Sequence, residues 1–411
     1  MIEKTLTFVL AGGAGSRLYP LTNDRAKPAV PFGGKYRIID FALANCLHSG
    51  LRRILVLTQY KSHSLYKHLR DGWSIFNPEL GEYITTVPPQ MRSGETWYQG
   101  TADAIWQNRY LLERSGAEYV VILSGDHIYR MDYAAMLHEH SKKKADVTIA
   151  CMKVNLEDAK HFGVVTTDQE GKINHFVEKP EKPEELVEGE SEALVSMGVY
   201  VFSRKVLLDS LQQDSSNQSS SRDFGKDIIP ELIKKLNVCA YQFGGNSGRV
   251  SQDKYWRDVG TLDSYYEASM NLIAPMPSLD LYQENWPIRS YQAQTPPART
   301  VPSFRNNEGI FINSILGGGA IISGGCVQES IIFPKVYVGD ESVVEKSILF
   351  EEVRIGNNVE IKSCIIDKSV IVPDNVKIGF DKEIDKKYFT ISDNGIVVVP
   401  KGFDFSDYLA N

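Results

Sequence analysis

At 411 residues the chain is longer than one hydrophobic core usually organises, so two domains are expected. Its 45 Lys and Arg against 52 Asp and Glu give a net charge of -7 without a basic block, which excludes a broad nucleic-acid surface and leaves any important cation to act locally. Cys46, Cys151, Cys239, Cys326 and Cys364 form no Cys-x-x-Cys pair and read as free thiols; with no leader-like start and no membrane-length apolar run, a cytoplasmic protein with no membrane partner is expected.

In chain order, a strand is predicted at 7–10, running into the glycine-rich segment Leu10-Ala11-Gly12-Gly13-Ala14-Gly15-Ser16-Arg17-Leu18. Helical periodicity follows at 39–49, 64–69, 101–114 and 133–143, alternating with apolar runs at 54–58, 119–123, 147–152 and 199–202. Such alternation predicts an α/β domain with a largely parallel sheet over residues 1–274. Residues 212–221, rich in Ser, Gln and Asn, are predicted to be a surface loop. The proline-rich residues 275–308 read as a linker, packed because Tyr282, Trp286 and Tyr291 are costly to leave in water.

From residue 309 to 411 an internal repeat takes over: blocks 329–345, 346–362 and 363–379 align without gaps, and a slightly shorter block, 313–328, precedes them. Ser330-Ile331-Ile332 matches Ser347-Ile348-Leu349 and Cys364-Ile365-Ile366; Val338-Gly339-Asp340 matches Ile355-Gly356-Asn357 and Val372-Pro373-Asp374. One inward aliphatic about every six residues is the pattern of a parallel β-helix, with Gly or Asn expected to relieve its corners.

The chemistry-bearing residues sit where the predicted strands end. Gly12, Gly13 and Gly15 can bring backbone N–H groups close to phosphate oxygens, and Arg17 with Lys27 adds two cations to the same short loop, pointing to a triphosphate. The run is neither the dinucleotide fingerprint nor a Walker loop, because the last glycine of the one and the Gly-Lys-Ser/Thr of the other are missing. Asp126, in Ser124-Gly125-Asp126-His127, and Asp258, in Tyr255-Trp256-Arg257-Asp258-Val259-Gly260, are hard oxygen donors from separate segments, a set that suits Mg²⁺. Taken alone, either aspartate is equally well explained as a turn cap or a surface ion pair.

These segments resemble, in the same order, the nucleotidyltransferases that make nucleotide sugars, and among them the ADP-glucose pyrophosphorylase (glucose-1-phosphate adenylyltransferase) family. The likeness is carried by Lys27-Pro28-Ala29-Val30-Pro31-Phe32-Gly33-Gly34-Lys35-Tyr36-Arg37-Ile38-Ile39-Asp40-Phe41, Trp97-Tyr98-Gln99-Gly100-Thr101-Ala102-Asp103-Ala104, His161-Phe162-Gly163-Val164, Phe176-Val177-Glu178-Lys179-Pro180 and Asp223-Phe224-Gly225-Lys226-Asp227. It implies a Rossmann-like, glycosyltransferase-A-like catalytic domain followed by a left-handed β-helix. It further implies that Asp126 and Asp258 hold Mg²⁺, that Arg17 and Lys27 face the triphosphate of ATP, and that Leu10, Ala11, Gln90, Tyr98 and Gly100 line the nucleotide side. Gly163, Glu178, Lys179 and Ser196 would hold α-D-glucose 1-phosphate. A homotetramer controlled by small anionic metabolites is implied as well, with Arg52, Arg53 and Lys61 as candidate contacts or simply an exposed basic face, and with Gln59 and Trp97 as candidate transmitters. Two alternatives stand beside this: a non-catalytic subunit of the same family, and a hexapeptide acyltransferase. The second is disfavoured because all eight histidines lie at or before His175, leaving the β-helix without a base.

Overall fold

The computed structural model describes residues 1–90, 96–183, 191–245, 248–249, 254–303 and 307–409. A nine-stranded sheet forms the amino half. Strand Thr5–Ala11 lies at its centre, parallel to Arg53–Thr58 on one side and Tyr119–Ser124 on the other; Arg53–Thr58 is in turn parallel to Tyr83–Val87. The chain therefore leaves the first strand towards one edge and returns on the other side, creating a switch point at the carboxyl ends of Thr5–Ala11 and Tyr119–Ser124. Ligands of open α/β sheets bind at such crevices.

Beyond Tyr119–Ser124 the pairing turns antiparallel, except that Val238–Gln242 runs parallel to Val147–Asn155. The long strand Glu192–Ser203 pairs with Tyr119–Ser124, Val147–Asn155 and Gly163–Thr167, and its register shifts between Ser196 and Tyr200. A two-stranded ribbon, His127–Tyr129 with Trp256–Asp258, sets Asp258 opposite His127. The predicted helices are present as Ile39–His48, His63–Trp73, Tyr133–Lys142 and a pair, Thr101–Gln107 and Arg109–Arg114, parted at Asn108. The Asn108 amide donates to the Tyr98 hydroxyl as well as to the Ala104 carbonyl.

Three expectations need correction. Residues 212–216 belong to the helix Arg204–Ser216, because Leu207, Ser210 and Leu211 bury one face and carry the polar tail along. In the linker, Trp286 is buried and donates to Asn45, and Ser290 donates to Asp40, but Tyr282 is 83% exposed and Tyr291 43%. Here one aromatic anchors the segment, with Leu279 and Ile288 also buried.

The third concerns the β-helix. Its three sheets step in register from coil to coil, with Ile331, Ile348 and Ile365 in one column, Val338, Ile355 and Val372 in a second, and Val344, Ile361 and Ile378 in a third. Left-handed residues along the repeat include the expected Asn313, Gly319, Gly324, Asn358, Asn375 and Gly379, but also Glu329, Lys346 and Ser363, Lys335, Glu352 and Ser369, and Glu341, so the corners are not confined to Gly and Asn. Gly339 serves close approach instead: a Cβ there would lie 2.4 Å from the Gly356 carbonyl oxygen of the next coil. Buried Ser330 and Ser347 hydroxyls take the amides of Ser347 and Cys364, so the stack continues through side chains.

The halves share a core. Ile331, Phe333, Ile348, Phe350 and Ile365 belong to one apolar cluster with Phe32, Phe41 and Tyr265 of the amino half. Tyr265 meets Phe350 edge to face at 6.4 Å. Among the described residues no helix is long and apolar enough to cross a membrane.

Candidate active site

The glycine-rich turn leaves strand Thr5–Ala11 and closes at Gly15, whose φ of 64° is left-handed and whose carbonyl accepts from the Thr22 hydroxyl. A Cβ at Gly15 would lie 3.1 Å from Lys27 Cβ, so the turn and the lysine-bearing segment lie against each other. A cleft of about 470 Å³ opens there, at the switch point. Leu10, Ala11, Gly12, Gly13, Gly15, Arg17, Lys27, Tyr98, Gly100 and Asp126 all line it.

Lys27 is the centre of charge. Its Nζ lies 2.8 Å from a carboxylate oxygen of Asp126 and 2.8 Å from one of Asp258, with only 8% of the side chain exposed. Burial disfavours the ammonium, but the two carboxylates outweigh it and raise the Lys27 pKa above its ordinary value. Burial likewise opposes ionisation of Asp126, yet Lys27 and His127, with hydrogen bonds from Lys27 and Ser124, hold it well below the usual carboxylate range. Asp126 is thus kept ionised, and it converges with Asp258 on one cation.

His127 Nε2 lies 3.6 Å from Asp126 and 3.9 Å from Asp258, and its buried Nδ1 has no hydrogen-bond partner among the described residues. Ligand atoms of Asp126, His127 and Asp258 fall within 4.8 Å of one another. Two hard oxygen donors already sharing a cation fit a divalent metal ion such as those used by nucleotidyl transferases.

A second cluster surrounds Glu178. A Cβ on Gly163 would come 2.9 Å from Glu178 Oε2, and one on Gly225 only 2.5 Å, so both glycines clear space for this carboxylate. Burial raises the Glu178 pKa against the opposing pull of Lys179. Lys179 Nζ is 3.5 Å from Glu178 and largely exposed, on a backbone with φ of 50°. Ser196 is buried and bonds Tyr200 and the Gly198 amide. The two clusters are contiguous through Trp256, whose ring meets His127 at 4.9 Å and Phe162 at 5.0 Å.

Gln90 stands apart: it is exposed, its amide donates to the Pro88 carbonyl, and it does not line the cleft. Tyr98 lines the cleft, but its hydroxyl is taken up by the Asn108 amide. Arg52, Arg53 and Lys61 direct donors to backbone carbonyls at Leu47, Ser115 and Thr22. Gln59 and Tyr60 line the cleft without having been singled out for it, and Tyr60 stacks on Trp97 with parallel rings 5.5 Å apart. Tyr60, 43% exposed, carries no apolar periodicity, so the sequence had no signal for it; Trp97 stands in the sequence reading only as a candidate transmitter.

A family model described as nucleotidyl transferase matches residues 6–274, and one described as GlmU-like, C-terminal hexapeptide matches residues 296–399. The chain belongs to the nucleotidyl transferase family. It is 61% identical to glucose-1-phosphate adenylyltransferase 2 of Vibrio parahaemolyticus over 98% of this chain and 100% of that one. The protein of the same name from Vibrio vulnificus is 62% identical over 98% and 100%. Glucose-1-phosphate adenylyltransferase of Rhodopirellula baltica is 47% identical over 98% of this chain and 91% of its own length.

Proposed function

We infer that this chain is a glucose-1-phosphate adenylyltransferase, converting ATP and α-D-glucose 1-phosphate to ADP-glucose and diphosphate. The observation that carries the reading is the convergence of Asp126 and Asp258 on one cation beside a glycine-lined cleft, in a chain whose full-length relatives bear that name.

A phosphate oxygen of glucose 1-phosphate attacks the α-phosphorus of ATP; the bond from α-phosphorus to the bridging oxygen breaks, and diphosphate leaves with the electron pair. The nucleophile is already an anion near neutral pH, so no general base is needed. Both partners are negative, so positioning and neutralisation dominate. Backbone amides of Gly12, Gly13 and Gly15 cradle phosphate oxygens, and Arg17 and Lys27 meet the charge gathering on diphosphate. Magnesium held by Asp126 and Asp258 would supply Lewis-acid neutralisation of phosphate oxygens. Glu178 accepts from sugar hydroxyls and Lys179 pairs with the sugar phosphate, while Gly163 and Ser196 shape the wall.

The β-helix is assigned to assembly, as a homotetramer in the cytoplasm, and small anionic metabolites to regulation. Support for the latter is a cavity of about 550 Å³ between the halves, lined by Lys35, Arg37 and Lys368 together with Glu351, which pairs with Lys368.

The test is diphosphate release from the purified chain with glucose 1-phosphate, Mg²⁺ and each of ATP, UTP, dTTP, CTP and GTP. ATP-selective release that disappears in Asp126→Ala is expected. Absence of release with every triphosphate, with candidate anionic activators added, would overturn the reading.

A further inference from the structure

Arg25 and Asp367, 342 positions apart, meet inside the protein. The guanidinium donates through both terminal nitrogens, at 3.1 and 2.9 Å, to the two oxygens of the carboxylate, and the side chains are 4% and 3% exposed. Arg25 also donates to the Leu21 carbonyl at 3.1 Å. It stands two residues before Lys27, in a segment whose backbone is held mostly by local turn bonds, Leu21 to Leu18, Asn23 to Pro20, Ala29 to Ala26 and Val30 to Lys27, with Ile38 bonding Val30 and the side chains of Lys61 and Arg37 reaching the Thr22 and Ala29 carbonyls. No sheet ladder ties residues 18–30 to the central strand; buried Leu18, Leu21, Ala29 and Val30 seat the segment in the core, and the Arg25 fork adds the directional contact nearest Lys27.

The repeat shows that this carboxylate is a departure. In successive coils the position of Asp367 is held by Phe333 and Phe350, both buried in the core shared by the two halves. A third aromatic would continue the column without desolvating charge, and a buried ion pair rarely outperforms such packing in stability. What the pair adds is direction: a planar fork on a carboxylate fixes distance and orientation together.

We propose that Asp367 of the β-helix is a positioning residue for nucleotidyl transfer, holding through Arg25 the segment that sets the Lys27 ammonium between Asp126 and Asp258. This rests on the reading that Lys27 serves the reacting triphosphate. Assembly of the catalytic charge set thereby depends on a residue outside the nucleotidyl transferase match.

The experiment compares the full-length wild type with Asp367→Asn, Arg25→Lys and the apolar double variant Arg25→Leu/Asp367→Phe. Each is assayed for kcat and KM, for melting temperature, and for acetylation of Lys27 by acetic anhydride, read by mass spectrometry against exposed Lys235 in the same sample. Both single variants should lose kcat by about 100-fold, the scale of a small misplacement at a reacting centre, with KM for glucose 1-phosphate within about twofold. Lys27 should acetylate faster in both. The double variant should regain wild-type melting temperature without regaining kcat or Lys27 protection. Unchanged kcat and unchanged Lys27 protection in whichever single variant folds, or recovery of both in the double variant, would overturn the proposal. An inactive wild type would sink the adenylyltransferase reading, while the acetylation of Lys27 would still decide whether Asp367 positions it.

Discussion

Lys27 and the two aspartates have opposite errands, and single substitutions separate them. Lys27→Met leaves Asp126 and Asp258 facing each other without their shared cation, so a divalent metal should bind at least as well while kcat falls by about 10²- to 10³-fold, the range for loss of one charge-stabilising group. Isothermal titration with Mn²⁺ beside steady-state kinetics separates the two effects. Asp258→Asn should do the reverse, weakening metal binding directly. A second residue sets a pH limit. His140 is buried against Thr148 and Tyr119, and burial lowers its pKa to about 4 from an ordinary 6.5 despite the opposing pull of Asp146. Because the folded value is the lower one, the unfolded chain takes up the proton first. This contribution is therefore intact above pH 6.5 and lost as pH falls through about 4, an effect on the order of 3 kcal/mol. Urea midpoints of wild type and His140→Asn between pH 7 and 4 should converge as the pH drops; parallel curves would contradict the assignment.

Among elements, the helix Thr101–Gln107 shows how closely the cleft wall is pinned. Gly100, at its start, has extended backbone that any residue adopts, but a Cβ there would lie 2.2 Å from the Arg222 carbonyl oxygen. The Ala102 amide donates to that same carbonyl. Gly100→Ala should therefore push the wall off its support, costing about 1–3 kcal/mol and raising KM for ATP more than KM for glucose 1-phosphate. A substitution that changed neither melting temperature nor KM would show that the two segments yield freely. This scale also shows what the sequence could reveal. Strand 7–10 ending in glycines and Asp126 after an apolar run were legible because strand ends and turn residues leave local marks. The helical character of 212–216 was not, because its apolar face consists of residues upstream of the polar tail. Tyr60, and the place of Gln59 in the cleft wall, were not legible for a related reason: these residues acquire a wall to face only when strand Arg53–Thr58 pairs with Thr5–Ala11. The grouping of Gly163, Glu178 and Ser196 as a sugar side rests on family likeness alone, since nothing in their spacing announces that strands Gly163–Thr167, Ile173–Glu178 and Glu192–Ser203 lie side by side.

At the scale of the whole molecule, one apolar cluster spans both halves. Phe333 and Phe350 of the β-helix pack edge to face at 5.3 Å and extend the same cluster that contains Phe32, Phe41 and Tyr265. Calorimetry should accordingly give one unfolding transition, and Phe350→Ala should lower it for both halves, by about 3–5 kcal/mol. Two separated transitions would mean that the shared cluster contributes little. A chain ending at residue 295 would expose the Tyr265 face and should be recovered only as aggregate.

The repeat has a consequence for how such a chain can grow. Neighbouring strands of a sheet are about 4.8 Å apart, so the solenoid lengthens in indivisible steps of one turn. A tandem copy of residues 346–362 is commensurate with that step and should be accommodated in the stack, whereas a fragment of half that size would bring every inward aliphatic out of phase. Yet the commensurate insertion would carry Asp367 one turn away and present a second Phe350 to Arg25. The β-helix is then a ruler as well as a scaffold: its count of turns, read from the first coil, selects which side chain arrives opposite the arginine.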